Sequence, residues 1–338
     1  MRRWTRADGQ ATAEYVGVVV LLMLVALTVV SAAPTIATAI RRTVVRAICE
    51  IGPSADCTGG AVDGQAADAS EPPPTRHVYD AENGDDLPGE AARDEGDDPT
   101  DDPEVDGAYD NFGLIHDYLR DRFGRNSYDG EGAPLVATVR YRQDPDLPYR
   151  NAYWDPNRRQ MVFGEGYAQP LDVTAHEVAH ALTDATAELE YRGESGALNE
   201  SISDIFASNL DPDDWEIGED LPGGAIRDMA DPERFDQPAH VDDYRDLPED
   251  VDYGGVHINS GIPNHAYFNM VGRIGRDAAE QIVYRALTEY LESDSGFEDF
   301  RAANLDAARD LYGDDGAEYR GVDRAFRDVG LDGTWMAP

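Results

Sequence analysis

The feature that most restricts the fold of this chain is the pentapeptide at residues 176–180. It reads His-Glu-x-x-His within an apolar run that favours a helix. Residues four apart lie on one helix face, one turn apart, so His176 and His180 can bind the same zinc ion and leave positions for further ligands. Glu177 lies beside them, where it can act as the base toward a water that the metal activates. A surface helix carrying these residues by chance is the alternative interpretation of the pentapeptide alone.

A second segment with helical periodicity, residues 196–206, supplies carboxylates at the matching spacing. Glu200 and Asp204 are four apart and share a face of this helix. Glu200 is predicted to be the third ligand, which gives the two-histidine, one-glutamate set of a catalytic zinc with an open fourth position. Asp204 can accept the other ring N–H of a ligand histidine and so orient the imidazole, and Asn199 is assigned the same supporting role.

These two segments resemble the thermolysin family of zinc metallopeptidases, and within it the shorter protealysin-like members. The other blocks that carry the resemblance are residues 151–154, 160–164, 214–220 and 254–261. The resemblance implies a two-lobed α+β fold with a cleft between the lobes. A strand-rich N-terminal lobe would span residues 76–181 and end in the zinc helix, and a helical C-terminal lobe would span residues 182–338. The residue patterns agree with this division: apolar spacing predicts a helix at residues 108–123 and further helices after residue 264, and strands are expected at residues 135–141, 151–154 and 160–163.

The resemblance also implies roles for residues outside the zinc segments. Tyr191 and His257 would donate to the oxyanion, and Asp252 would orient His257. An edge strand of the first lobe would hold the substrate backbone by β-augmentation. The substrate-binding residues implied in this way are Asn151, Ala152 and Arg227. Family members usually cut on the amino side of a bulky apolar residue. The loop at residues 166–172 is shorter than usual and lacks the family's aromatic wall residue, so this preference stays open.

An acid-rich loop follows the zinc segments, and the resemblance implies that it binds one structural calcium ion. Clustered carboxylates suit a hard cation that takes six to eight oxygen ligands. The implied ligands are Asp172, Asp211, Asp214, Glu216 and Glu219. A solvated acidic loop is the alternative in a chain whose 68 acidic and 28 basic residues give a formal charge of −40. The same charge argues against partners that are nucleic acids or anionic lipid surfaces and fits a secreted or surface-exposed domain.

The N-terminal part of the chain predicts one transmembrane helix. Residues 15–40 carry no charged side chain, and about 20 apolar residues cross a bilayer. We therefore expect Tyr15 to about Ala33 to span the cell membrane, with the catalytic domain outside. A cleaved secretory signal that ends near Ala33 is the alternative. Residues 9–15 resemble the N-terminus of Flp-type pilins, which implies a prepilin-type peptidase as a partner that cuts after Gly9.

Cys49 and Cys57 complete this pilin-like N-terminus, residues 1–57. An even cysteine count in an extracytoplasmic segment favours a disulfide, and two free thiols or a metal pair are the alternatives. Residues 58–75 read as a flexible linker that is rich in Gly, Ala, Asp and Pro.

The sequence as a whole predicts a zinc-dependent endopeptidase that acts on proteins outside the membrane. The alternative is a catalytically silent, surface-anchored protein that uses a peptidase fold for structure or for peptide binding. The filled catalytic positions argue against that alternative.

Overall fold

A computed structural model describes residues 73–144, 146–314 and 316–337 of the chain. The predicted transmembrane span, the pilin-like segment, the cysteine pair and most of the linker lie outside these residues. Within the described part of the chain, no helix combines the length and the apolar character that a membrane span needs.

The first lobe is built on a five-stranded mixed sheet. Its strands are β1 (Arg76–Asp80), β2 (Glu90–Asp94), β3 (Leu135–Val139), β4 (Ala152–Asp155) and β5 (Gln160–Phe163). They lie in the order β2-β1-β3-β5-β4, with β1, β3 and β5 parallel and the two outer strands antiparallel to their neighbours. Strand β4 is therefore an edge of the sheet, with one side free of strand partners. The strands predicted at residues 135–141, 151–154 and 160–163 are confirmed with shifts of at most two residues at their ends.

Helix α1 (Pro103–Phe123) covers this sheet with an apolar face that includes Phe112, Ile115 and Leu119. It begins earlier than the start at residue 108 that periodicity predicts. The side chain of Asp102 caps the helix by accepting a hydrogen bond from the Glu104 amide at 3.0 Å, and Pro103 opens the first turn. Both are helix-start signals that an apolar pattern does not contain.

The second lobe is helical. Its helices are α2 (Leu171–Asp184), α3 (Gly193–Leu210), α4 (Asp252–Asn259), α5 (Gly261–Ile274), α6 (Arg276–Glu289), α7 (Phe297–Tyr312) and α8 (Ala317–Asp328). A short ribbon of β6 (Glu216–Ile217) and β7 (Arg227–Asp228) lies in the long connection between α3 and α4. The helices predicted after residue 264 are confirmed. Helix α2 runs past the predicted lobe boundary at residue 181, and the domain division itself stays a prediction.

Helix α3 lies at the centre of the molecule and is buried on every side. Leu198, Ile202 and Ile205 pack into the core, yet Glu200 and Asp204 on the same helix are equally inaccessible. Burying an ionised carboxylate is costly unless it is paired with cations or binds a metal. The two carboxylates therefore point to the functional site that α2 and α3 form together.

Candidate active site

Three side chains from α2 and α3 converge on one point. The Nε2 atoms of His176 and His180 are 3.1 Å apart, and the Glu200 oxygens lie 3.4 Å from the first and 3.5 Å from the second. In the described part of the chain, this is the one group of three His, Cys, Asp or Glu residues whose donor atoms all lie within 4.8 Å of one another. Tetrahedral ligands at about 2.0–2.1 Å from zinc lie about 3.3–3.4 Å from one another. The three side chains therefore fit a zinc ion.

The hydrogen bonds behind the imidazoles prepare both rings for a metal. His176 Nδ1 lies 2.9 Å from Asp204 Oδ1, and His180 Nδ1 lies 2.7 Å from Asn199 Oδ1. Each Nδ1 therefore donates its proton backward, and both Nε2 atoms face the same point, where a metal can bind them in place of a proton. Burial opposes a charge on His176, but the Asp204 and Glu200 carboxylates raise its pKa to about 10. The electrostatics of the site thus favour a positive charge between the donor atoms.

Asp204 is fully buried, and its carboxylate accepts hydrogen bonds from several residues. Its carboxylate accepts from Arg227 Nε at 2.8 Å, from Arg227 Nη2 at 2.6 Å and from Asn264 Nδ2 at 2.8 Å, in addition to His176. Burial would raise the pKa of Asp204, but the guanidinium of Arg227 lowers it to about 2. Arg227 also lines the cleft, so one carboxylate orients both a ligand histidine and the residue predicted to bind a substrate carbonyl.

Glu177 points into the same space, and its Oε2 atom has no hydrogen-bond partner. Its side chain is 5 % exposed, and burial raises its pKa above the ordinary value for glutamate. A carboxylate of raised basicity with a free oxygen can accept a proton from a reactant in the cleft.

Tyr191 and His257 stand on the other side of Glu200. The Tyr191 hydroxyl donates to Glu200 Oε1 and lies 3.1 Å from His257 Nε2. His257 is held by Asp252, whose oxygens lie 2.6 Å from Nδ1 and 3.0 Å from the His257 amide nitrogen. The carboxylate fixes the orientation of the ring and directs Nε2 toward Tyr191 and Glu200.

A left-handed turn of backbone makes the contact between Asp252 and His257 possible. The φ angles of residues 252–255 are 52°, 50°, 85° and 87°. Gly254 has to be glycine because a Cβ there would lie 3.2 Å from the Gly193 nitrogen in a conformation that already favours glycine. The Gly-Gly pair in the sequence signals a turn, but it does not show that the left-handed stretch already includes Asp252 and Tyr253.

An open cleft of about 500 Å³ leads to these groups. Strand β4 forms one wall, with the exposed Asn151 and with Ala152 at the free edge of the sheet. The apolar wall of the cleft comprises Val173, Ile217, Leu221 and Ile226. Tyr167 also lines the cleft, which corrects the expectation that the short loop leaves no aromatic residue there. Tyr167 lies within residues 166–172, so the shortened loop still carries an aromatic residue at the cleft.

The five residues predicted to bind calcium lie in one region, but their carboxylate oxygens do not converge on a single point. Burial and repulsion from neighbouring carboxylates, including Asp172, raise the pKa of Asp211 to about 6 and that of Glu219 to about 7. Asp172 accepts from the amides of Val173 and Gly218. Asp214 accepts from the Glu216 amide at 2.8 Å, and the Glu216 side chain is paired with Arg234. In the described residues their oxygens do not form a group as tight as the zinc ligands, so the calcium site stays a prediction.

Comparison with known proteins places these features in one family. Residues 64–184 match the thermolysin metallopeptidase catalytic domain, and residues 187–331 match its alpha-helical domain. The chain is 45 % identical over 238 residues to bacillolysin of Bacillus amyloliquefaciens, a stretch that covers 67 % of this chain and 44 % of that protein. It is 44 % identical over 238 residues to neutral protease NprE of Bacillus pumilus, covering 67 % of this chain and 76 % of NprE.

A solved structure shows the same likeness. The precursor of protealysin, a metalloproteinase from Serratia proteamaculans, superposes with a TM-score of 0.69 at 35 % identity and covers 76 % of this chain and 88 % of that one. The matched part of this chain spans less than half of bacillolysin.

Proposed function

Since the chain belongs to the thermolysin metallopeptidase family, we propose that it is a zinc-dependent endopeptidase that hydrolyses peptide bonds in proteins. The observation that carries this proposal is the convergence of His176, His180 and Glu200 beside a buried Glu177 whose Oε2 has no partner. The group opens into a cleft bordered by the free edge of strand β4, where an extended peptide can lie.

His176, His180 and Glu200 would hold the zinc ion, with Asp204 and Asn199 keeping the imidazoles in the required tautomer. When bound, zinc acts as a Lewis acid that polarises a carbonyl and makes a water more acidic. Glu177 takes the proton of the attacking water and passes it to the leaving amine, since it is the buried base with an oxygen free to receive it.

Tyr191 and His257 lie where they can donate to the oxyanion that forms as the carbonyl becomes tetrahedral. One such donor typically contributes about 2.7–4 kcal/mol to transition-state stabilisation. Asp252 keeps the His257 ring oriented for this purpose. The Tyr191 hydroxyl, which rests on Glu200 in the free protein, has to turn toward the substrate for this purpose.

The walls of the cleft indicate how a peptide is held. Asn151 and Ala152 would pair with the substrate backbone as an added strand, and Arg227 would donate to a carbonyl. The apolar wall, together with the ring of Tyr167, suits a bulky apolar side chain next to the cleaved bond.

Two finer parts of the proposal rest on the sequence. The acid-rich loop would bind one calcium ion, and neutralising its repelling carboxylates would stabilise the fold. The N-terminal apolar segment would anchor the protein in the cell membrane as a single span after a prepilin-type peptidase has cut behind Gly9. Both are separate from the chemistry at the zinc ligands.

The test is casein zymography and peptide hydrolysis by the full chain, with and without a chelator, beside Glu177→Gln. The variant should keep its fold and bind one zinc ion per chain, because the ligands are untouched. Its kcat should fall about 10²–10⁴-fold, the usual contribution of general-base catalysis. Glu289→Gln, an exposed residue at the end of α6, is the matched control and should keep full activity. A Glu177→Gln enzyme with more than about a tenth of the wild-type kcat would remove the residue from this role. Wild-type protein that binds zinc but cuts nothing would favour the silent alternative.

A further inference from the structure

Tyr253 is an aromatic residue at the active-site cleft to which the proposed chemistry gives no role. Its side chain is 58 % exposed, and its ring centroid lies 5.5 Å from that of Tyr191. It lines the active-site cleft and also a second cavity of about 660 Å³, whose other apolar members are Leu247, Trp335 and Met336. The ring of Tyr253 therefore lies where the cleft and the second cavity meet. A substrate side chain that extends past the ring would enter the second cavity.

The backbone of Tyr253 belongs to a defined turn, and its ring rests against that of Tyr191. The residue has φ 50° and ψ 35°, a left-handed conformation that is unfavourable for bulky side chains. It stays there because Asp252 is bonded to His257 on one side and two glycines continue the turn on the other. An exposed aromatic ring that is fixed in this way loses little freedom when a ligand packs on it.

The contacts of Tyr253 place it on one particular side of the cleaved bond. Tyr253 adjoins Tyr191, whose ring in turn lies 6.1 Å from that of His180, so Tyr253 is connected to the His180 end of the ligand group. Arg227 adjoins the other histidine, since its Nη2 is 3.4 Å from Nδ1 of His176, and it is paired with Ile217 of the apolar wall. When the apolar wall binds the substrate residue on one side of the cleaved bond, Tyr253 is then available to the substrate residue on the other side of that bond.

We propose that Tyr253 is a specificity-determining residue whose ring packs against a large apolar or aromatic side chain of the substrate, across the cleaved bond from the apolar wall. The inference rests on the proposed endopeptidase activity. Alanine is too short to reach the ring, whereas phenylalanine can stack on it and extend toward the second cavity. Aromatic pairs are typically strong enough to change kcat/KM about three- to tenfold.

The experiment uses the full chain loaded with zinc and two fluorogenic peptides. Both carry leucine for the apolar wall, and they differ only in having phenylalanine or alanine across the cleaved bond, with the cut confirmed by mass spectrometry. Tyr253→Asn removes the ring, and asparagine tolerates the left-handed conformation, so the fold is kept. Tyr253→Phe keeps the ring. Tyr312→Asn is the matched control, because Tyr312 is also exposed but lines neither space.

The readout is the ratio of kcat/KM for the two peptides. We expect Tyr253→Asn to lower the preference for phenylalanine about three- to tenfold, and we expect Tyr253→Phe and Tyr312→Asn to leave it within twofold. An equal loss on both peptides would show that Tyr253 only supports Tyr191 and would overturn the inference, as would an unchanged ratio. Wild-type protein without chelator-sensitive cleavage of either peptide would overturn the proposed function itself, which is a distinguishable result.

Discussion

Replacing Asp204 by asparagine removes one negative charge from the most connected buried carboxylate of the site while keeping its shape. Asp204 accepts hydrogen bonds from Arg227, Asn264 and His176 and has no exposed surface. The change leaves the buried guanidinium of Arg227 without its ion-pair partner. Breaking a buried pair in this way typically costs about 3–5 kcal/mol, a third or more of the free energy of unfolding of many domains.

The same replacement should weaken zinc binding. The carboxylate holds His176 Nδ1 at 2.9 Å, and an amide there can donate as well as accept, so the ring is no longer fixed in one tautomer. Loss of such a supporting residue typically lowers metal affinity about 10–100-fold. Urea denaturation of the zinc-free protein measures the first effect, and competition with a chelator of known affinity measures the second.

Two further variants test whether the unpaired guanidinium of Arg227 causes the loss of stability. Asp204→Asn combined with Arg227→Met should recover part of the lost stability, because the unpaired guanidinium is then gone. Asp242→Asn is the surface control, since its side chain is 86 % exposed, and it should change the unfolding free energy by no more than about 0.5 kcal/mol. A stability loss below about 1 kcal/mol together with zinc affinity within twofold of wild type would refute the reasoning.

Three other predictions follow from the structure and the sequence. Burial raises the pKa of Glu104, whose Oε2 has no hydrogen-bond partner. Protonated Glu104 therefore stabilises the fold below the unfolded pKa of about 4.3, and this stabilisation is lost as pH rises through the higher native pKa. Urea denaturation between pH 4 and 8 should show that the free energy of unfolding declines less in Glu104→Gln than in the wild type. Calcium added to zinc-saturated protein should raise the melting temperature of the wild type but not of Glu219→Gln, whereas equal curves would show a merely solvated loop. N-terminal sequencing of membrane-extracted protein should begin at Gln10; Met1 would indicate an unprocessed anchor, and soluble protein starting near Ala33 would exclude the anchor.

Much of the fold could be predicted because its signals are local. Strand β5 was predicted to the residue, and the helices after residue 264 follow from apolar spacing alone. The proposed zinc ligands could also be predicted, since His176 and His180 lie one helical turn apart and Glu200 has the same spacing to Asp204 in a segment close by in the chain. The start of α1 was placed too late because its signal is the Asp102 cap rather than an apolar residue.

The rest depends on contacts between distant segments. Asn264 reaches Asp204 across sixty positions of sequence, and nothing near Asn264 indicates that contact. Tyr167 reaches the cleft from an irregular loop and Tyr253 from the left-handed residues at the start of α4, and neither stretch has a periodicity to interpret. The acid-rich loop shows the same limit, because the number of carboxylates is visible in the sequence but the convergence of their oxygens is not.

The division of the zinc ligands between two helices determines when the protein can become active. His176 and His180 lie on α2, whereas Glu200 lies on α3, beyond the segment that connects the two helices. A growing chain that has released only α2 from the ribosome holds two of the three ligands. The complete set forms only when α3 packs against α2, and Tyr191 and His257 have to arrive as well before an oxyanion can be stabilised. Assembly of the proposed catalytic centre is thus coupled to the packing of α3 against α2 and to the folding of the chain as far as His257.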